Sequence, residues 1–210
     1  MRSVSTFLFR EGVTDDYFLP RILERALVRL CTTIDVDVAA VVSLPIYGSL
    51  VDGVCAAAHE AADGATLFFY HFDGSANRGR ETEKYWVPLC ERWHADGPDR
   101  PLVPVVPVRE MEAWAVADLA ALEVVAPRQI PLVEIFEHEH LGTPERLSDP
   151  KRTLASLFAG TSRRRRKTDP EGYLSRLAEE ISIDQLERLP SFDRWRTETT
   201  EVLRELRIIR

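Results

Sequence analysis

Residues 66–72 (Thr-Leu-Phe-Phe-Tyr-His-Phe) constrain this chain more than any other stretch, because they are almost all apolar or aromatic and stop at Asp73-Gly74. A strand with one face in water alternates apolar and polar residues. A near-continuous apolar run belongs to a strand covered on both faces, the usual state of a strand inside a parallel sheet flanked by helices. The surrounding sequence supplies such helices. Residues 4–9 are a short β-prone run ended by Arg10-Glu11-Gly12, and Thr14-Asp15-Asp16 reads as a helix start, with acids where the helix dipole favours them. In that helix Phe18, Ile22, Ala26, Leu27 and Leu30 share one face and Arg21, Arg25 and Arg29 the other, provided that it begins close to Pro20. Residues 38–44 read as the next strand and 53–62 as an alanine-rich helix. A helix presenting Trp86, Leu89, Cys90 and Trp93 follows the apolar run. Residues 102–108 are strand-like, and Pro101, Pro104 and Pro107 favour a place at a sheet edge. Glu110 opens a helix through Met111, Trp114, Ala115 and Asp118.

This alternating order predicts an α/β domain with a mostly parallel, Rossmann-like sheet over residues 1–125. Beyond it Pro127, Pro131, Pro144 and Pro150 mark a linker-like stretch, and short helices are expected at 151–159, 171–181, 183–189 and 191–207. Residues 126–210 are therefore expected to be a mainly helical C-terminal extension packed on the first domain. The 210 residues suffice for one substantial core, and 45% hydrophobic with 29% charged residues excludes a disordered chain. No apolar run approaches the ~18 residues that a membrane helix needs. Arg10 and Glu11 interrupt Phe7-Leu8-Phe9, which argues against a signal peptide. Cys31, Cys55 and Cys90 are odd in number and without a CxxC pair, which suits reduced thiols in a cytoplasmic protein with no membrane partner. The net charge of -7 is unevenly divided: residues 1–144 carry 12 Lys and Arg against 22 Asp and Glu, and residues 145–210 carry 15 against 12.

In open α/β sheets ligands bind beyond the carboxyl ends of the strands. Acids fall at three such ends: Glu11 with Asp15 one turn on, Asp73, and Glu110 with Glu112. Converging carboxylates with no matching cations repel one another, and a divalent ion with oxygen ligands, Mg²⁺ above all, relieves that repulsion. The plain alternative is solvated loop acids and helix caps.

The residues Phe9-Arg10-Glu11-Gly12-Val13-Thr14-Asp15-Asp16 resemble the opening EGxTD motif of Toprim domains. His71-Phe72-Asp73-Gly74-Ser75 is similar to the second Toprim motif, normally Asp-x-Asp after a hydrophobic strand, and Arg109-Glu110-Met111-Glu112-Ala113-Trp114 resembles the third acidic element of small, stand-alone Toprim-like proteins. Asp149-Pro150-Lys151 and Pro190-Ser191-Phe192 look like later landmarks of that group. The resemblance implies a Toprim-like fold and Mg²⁺- or Mn²⁺-dependent hydrolysis of RNA or DNA. Glu11, Asp73 and Glu112 would be catalytic. Glu11, Asp15, Asp73 and Glu112 would hold metal, with Glu110 and Ser75 as further candidates; Glu11 is either a ligand or the general acid/base. Ser75 stands where the pattern has its second Asp, so one ligand there is a hydroxyl or a water. No GxxxxGK[ST] run is present, and such proteins resemble the nuclease half of bacterial anti-phage defence systems that employ a separate ATPase.

Arg163, Arg164, Arg165, Arg166 and Lys167 would suit contacts to a nucleic-acid backbone, against the alternative of a solvated loop. His71 either assists phosphate binding or packs. Glu137-His138-Glu139-His140 reads as a surface segment rather than a metal site, and Trp86, Trp93 and Trp114 as core residues. Two readings follow: a Mg²⁺-dependent Toprim-type endonuclease, or a non-catalytic Toprim-like subunit that binds an ATPase partner or nucleic acid.

Overall fold

The computed structural model describes residues 2–32, 36–46, 50–75, 78–126, 143–158 and 169–210. Four short strands, β2 (Thr6–Phe9), β4 (Val42–Leu44), β5 (Leu67–His71) and β6 (Leu102–Val105), form one parallel sheet in the order β4-β2-β5-β6. The apolar run is an inner strand, and all five residues of β5 are buried. β6 is an edge strand, where Pro104 costs no hydrogen bond that the sheet needs. The fold is therefore α/β with parallel strands, helices on both faces and further helices at the C-terminal end.

The β-prone run 4–9 is two strands, not one. β1 (Arg2–Val4) pairs in parallel with β3 (Val36–Val38) as a separate two-stranded ribbon. The break is at Ser5, whose N–H donates to Thr66 Oγ1 at 3.0 Å and whose carbonyl accepts the Thr66 N–H at 2.8 Å. The expected strand at 38–44 is split in the same way between β3 and β4, which belong to different sheets.

Side-chain alternation along β2 and β5 divides the core into two. Phe9, Phe68 and Tyr70 pack with Val54, Cys55 and Ala58 of α2 (Leu50–Ala61) and with Leu89 and Trp93 of α4 (Val87–Asp96). α3 (Arg78–Glu81) and one wide turn over Thr82–Trp86 lead into α4. On the opposite face Leu8, Leu67 and Phe69 pack with Ile22, Leu23, Ala26 and Leu27 of α1 (Leu19–Cys31). α1 begins at Leu19 with Pro20 in its first turn, and Thr14-Asp15-Asp16 form a separate 3-10 turn instead of its first residues.

α5 (Glu112–Ala115) and α6 (Leu119–Val125) are separate helices because Asp118 caps the second: its Oδ1 accepts the N–H groups of Ala120 at 3.0 Å and Ala121 at 3.3 Å. The C-terminal helices α7 (Pro150–Phe158), α8 (Pro170–Glu180), α9 (Ile183–Leu186) and α10 (Pro190–Glu205) share the core of α1. Trp195 meets Phe69 of the central strand edge-on at 5.5 Å, and Trp114 Nε1 donates to Ser191 Oγ at 2.8 Å. Among the described residues no helix is long and apolar enough to cross a membrane.

Candidate active site

Glu11 and Asp15 are fixed by the turn that ends β2. The Gly12 N–H donates to Asp15 Oδ2 at 2.7 Å, and the Asp15 N–H donates to the Gly12 carbonyl at 3.3 Å, a reciprocal pair that closes the 3-10 turn Val13–Tyr17. Arg10 braces the turn through an ion pair with Asp16 and a bond from Nη1 to the Gly12 carbonyl at 3.3 Å. The result is a buried carboxylate at Asp15 beside an exposed one at Glu11.

Asp73 lies two residues past β5, in a segment still bonded to the chain after β6. The Gly74 N–H donates to the Pro107 carbonyl at 3.0 Å, and Ser75 and Arg109 exchange N–H···O bonds at 3.2 and 3.1 Å. Ser75 and Arg109 have φ of 46° and 64°, values that non-glycine residues rarely take, so this paired bridge holds two strained residues beside the acids. Gly74 itself has no room for a side chain: a Cβ there would stand 2.6 Å from the Pro107 carbonyl oxygen. The Asp73 N–H donates to Glu11 Oε2 at 3.1 Å, which ties the end of β5 to that of β2.

Between these acids stands His71, which is buried. Its Nδ1 is 3.0 Å from the Val105 carbonyl and must donate there, so Nε2 is the ring atom presented to the acids, 3.6 Å from Asp15 Oδ2 and 3.7 Å from Asp73 Oδ1. Asp73 Oδ1 is itself buried without a hydrogen-bond partner. Burial, and after it the charges of Glu11, Asp15 and Glu112, push the Asp73 carboxyl up to about 7 against the pull of His71.

The third acidic element reaches this neighbourhood from α5. Glu112 is 6% exposed, and burial raises its carboxyl although Lys151 Nζ lies 3.5 Å from its Oε1. Glu110 lies before the helix and accepts the backbone N–H of Lys151 at 3.2 Å. Lys151 in turn is pushed up by Glu112 and Glu110, and at longer range by Asp73, so its exposed ammonium is a counter-charge at the rim of the cluster.

The sequence candidates thus divide. Glu11 reaches the Asp73 amide, His71 stands beside Asp15 and Asp73, Glu112 is coupled to Asp15 and Asp73 through charge, and Glu110 holds the start of α7. The Ser75 hydroxyl donates to Glu81 at 3.2 Å. Among the described residues no three His, Cys, Asp or Glu side chains stand in a set that could hold a metal ion without rearrangement. Arg163, Arg164, Arg165, Arg166 and Lys167 lie outside the described residues, as do Glu137, His138, Glu139 and His140. Lys151 is a further residue of the site that the acidic motifs do not announce. Its only signal was the Asp149-Pro150-Lys151 string, in which Pro150 starts a helix and so aims the next side chain back at α5.

A family described as a domain of unknown function (DUF4276) matches residues 10–198. No curated protein and no solved structure matches the chain.

Proposed function

We propose that this chain, which belongs to the DUF4276 family, is a metal-dependent nuclease of Toprim type that hydrolyses phosphodiester bonds in RNA or DNA. The observation that carries the reading is that acids from three separate segments lie at the carboxyl edge of a parallel sheet: Glu11 is bonded to the Asp73 amide, His71 stands beside Asp15 and Asp73, and Glu112 is felt by Asp73 through its charge. The donor chemistry fits a hard cation: carboxylate oxygens in excess of local positive charge, one of them the buried Asp73 Oδ1, which accepts no hydrogen bond. Glu11, Asp15, Asp73 and Glu112 would hold Mg²⁺ or Mn²⁺, which when bound supplies an activated water and charge stabilisation at the phosphate.

The chain's own residues have distinct tasks. His71, anchored on Val105, orients Asp15 and Asp73 from behind. Glu11 is the exposed acid of the cluster and so the one that can reach a substrate proton. Lys151 opposes the effect of burial on the Glu112 carboxyl and offers an ammonium to a phosphate oxygen. An effector role in anti-phage defence beside a separate ATPase belongs to the same proposal and rests on the Toprim resemblance alone, and a cytoplasmic location rests on the three unpaired cysteines.

One observation favours a non-catalytic subunit instead: the acids lean on Lys151, His71 and backbone amides and no three of the described donors converge. A cleavage assay separates the two readings. Purified protein, alone and with a candidate ATPase partner, is incubated with RNA and DNA in Mg²⁺ or Mn²⁺. Cleavage that falls by about 100-fold or more in Glu11→Ala and Asp73→Ala supports the nuclease. Folded wild-type protein inert under every condition, or variants as active as the wild type, overturns it.

A further inference from the structure

We propose that the cavity adjoining Glu11 on the other side of β5 is a pocket for one unpaired nucleobase, so that the substrate class is single-stranded nucleic acid; this rests on the nuclease reading above. The cavity has a volume of about 370 Å³, near the lower bound of the ~300–1,000 Å³ typical of small-ligand pockets, which suits one ring system and not an extended ligand.

Its position follows from the alternation of the central strand. His71 and Asp73 point toward the acids, whereas Tyr70 and Phe72, each 1% exposed, point to the opposite side and back the cavity from beneath. Tyr85, from the wide turn before α4, adds a third ring, 5.9 Å from that of Phe72, and Ile46 and Leu50 close the apolar side. The rings are braced, since Tyr70 also stacks on Trp86 at 6.5 Å and meets Phe72 at a tilt at 5.6 Å. Glu11 belongs to both places: it lines the cavity and binds the Asp73 amide. A phosphodiester at the acids therefore carries its attached base past Glu11 to an aromatic wall.

The polar groups of the cavity suit the edge of a base. Glu11 accepts and Arg10 donates, while burial pushes the Tyr70 hydroxyl up, so that it remains a neutral O–H donor. The half-buried Tyr85 ring is the aromatic surface open to the cavity, and a base that packs on such a ring is held with little regard to its identity and must leave its stack. A duplex would have to unpair to fill this cavity, and a single strand would not.

The test has two arms. In the first, the four ribonucleoside 5′-monophosphates are titrated into wild-type protein in Ca²⁺ and followed by calorimetry and tryptophan fluorescence. In Leu50→Trp, which fills the cavity from a half-buried position, and in Tyr85→Ala, which removes a ring, affinity is expected to fall by about tenfold. In Val124→Trp, at an exposed site of α6, it is expected to stay the same. In the second arm, cleavage of a single strand in Mg²⁺ is expected to exceed that of the matching duplex by about tenfold, with the preferred cut site altered in Leu50→Trp. Wild-type cleavage that ignores strandedness, with an unchanged cut pattern in both pocket variants, overturns the pocket and leaves the nuclease standing. Nucleotide binding lost in the pocket variants, with no cleavage of any substrate, overturns the nuclease and supports the pocket as a nucleotide site. Failure of every nucleotide to bind the wild type, or binding unaffected in both pocket variants, overturns the pocket outright.

Discussion

At the scale of single residues, Gly74 is where the site can be damaged without touching an acid. Its missing side chain lets the backbone carrying Asp73 lie against the chain after β6, where a Cβ would stand 2.6 Å from the Pro107 carbonyl oxygen. Gly74→Ala should cost about 1–3 kcal/mol in chemical denaturation and lower cleavage along with it, because Asp73 is pushed away from Glu11. Lys151 acts in the opposite sense, as a positive charge already at the rim of the cluster. Lys151→Met is expected to raise Mn²⁺ affinity by several-fold in calorimetry while lowering cleavage, a split that a purely structural lysine would not produce. The cysteines stay out of the chemistry: burial raises all three thiols, Cys90 up to about 11. Maleimide labelling at pH 8 should therefore be slow in the folded protein and complete in denaturant, as read by intact mass. The acids at strand ends were legible because chemistry sits where parallel strands stop. Lys151 was not, since nothing local announces that a residue some forty positions beyond Glu110 returns to it.

At the scale of elements, the legible part was whatever a single periodicity dictates. The buried run became an inner strand, the proline-bearing strand an edge, and α1 took its expected face, with Ile22, Ala26 and Leu27 buried. The misread elements are those where a tertiary hydrogen bond decides. Ser5 looks like mid-strand, but its pairing with Thr66 ends one strand and begins another. Asp118 looks like a helix residue and is a cap that serves two segments, its Oδ2 also accepting the Ser182 N–H at 2.9 Å ahead of α9. Asp118→Ala should destabilise the protein by about 1–3 kcal/mol, because it strips a helix N-terminus and leaves a partly buried amide unpaired. Denaturant titration of the purified variant checks it, and a shift of a few tenths would mean that the cap is dispensable.

At the scale of the molecule, the C-terminal helices complete both the core and the site. Trp195, Phe192 and Leu203 sit in the same hydrophobic cluster as Leu8 and Phe69, and Lys151 arrives with α7. Arg21 to Glu179 at 2.8 Å and Arg29 to Asp184 at 2.5 Å lace α1 to this layer. A fragment ending at residue 126 would expose that face of the sheet and is expected to lack a cooperative thermal transition. The acid excess of residues 1–144 has a local meaning in this arrangement, since part of it is gathered at one edge of the sheet with the exposed Lys151 as a counter-charge. What the account requires is that these carboxylates take up a divalent cation. Calorimetric titration of Mn²⁺ into the full chain tests it most directly. A saturable site in the wild type, lost or weakened by about tenfold or more in Asp73→Asn and in Asp15→Asn, is the predicted result. No saturable binding, or binding unchanged in both variants, would contradict it.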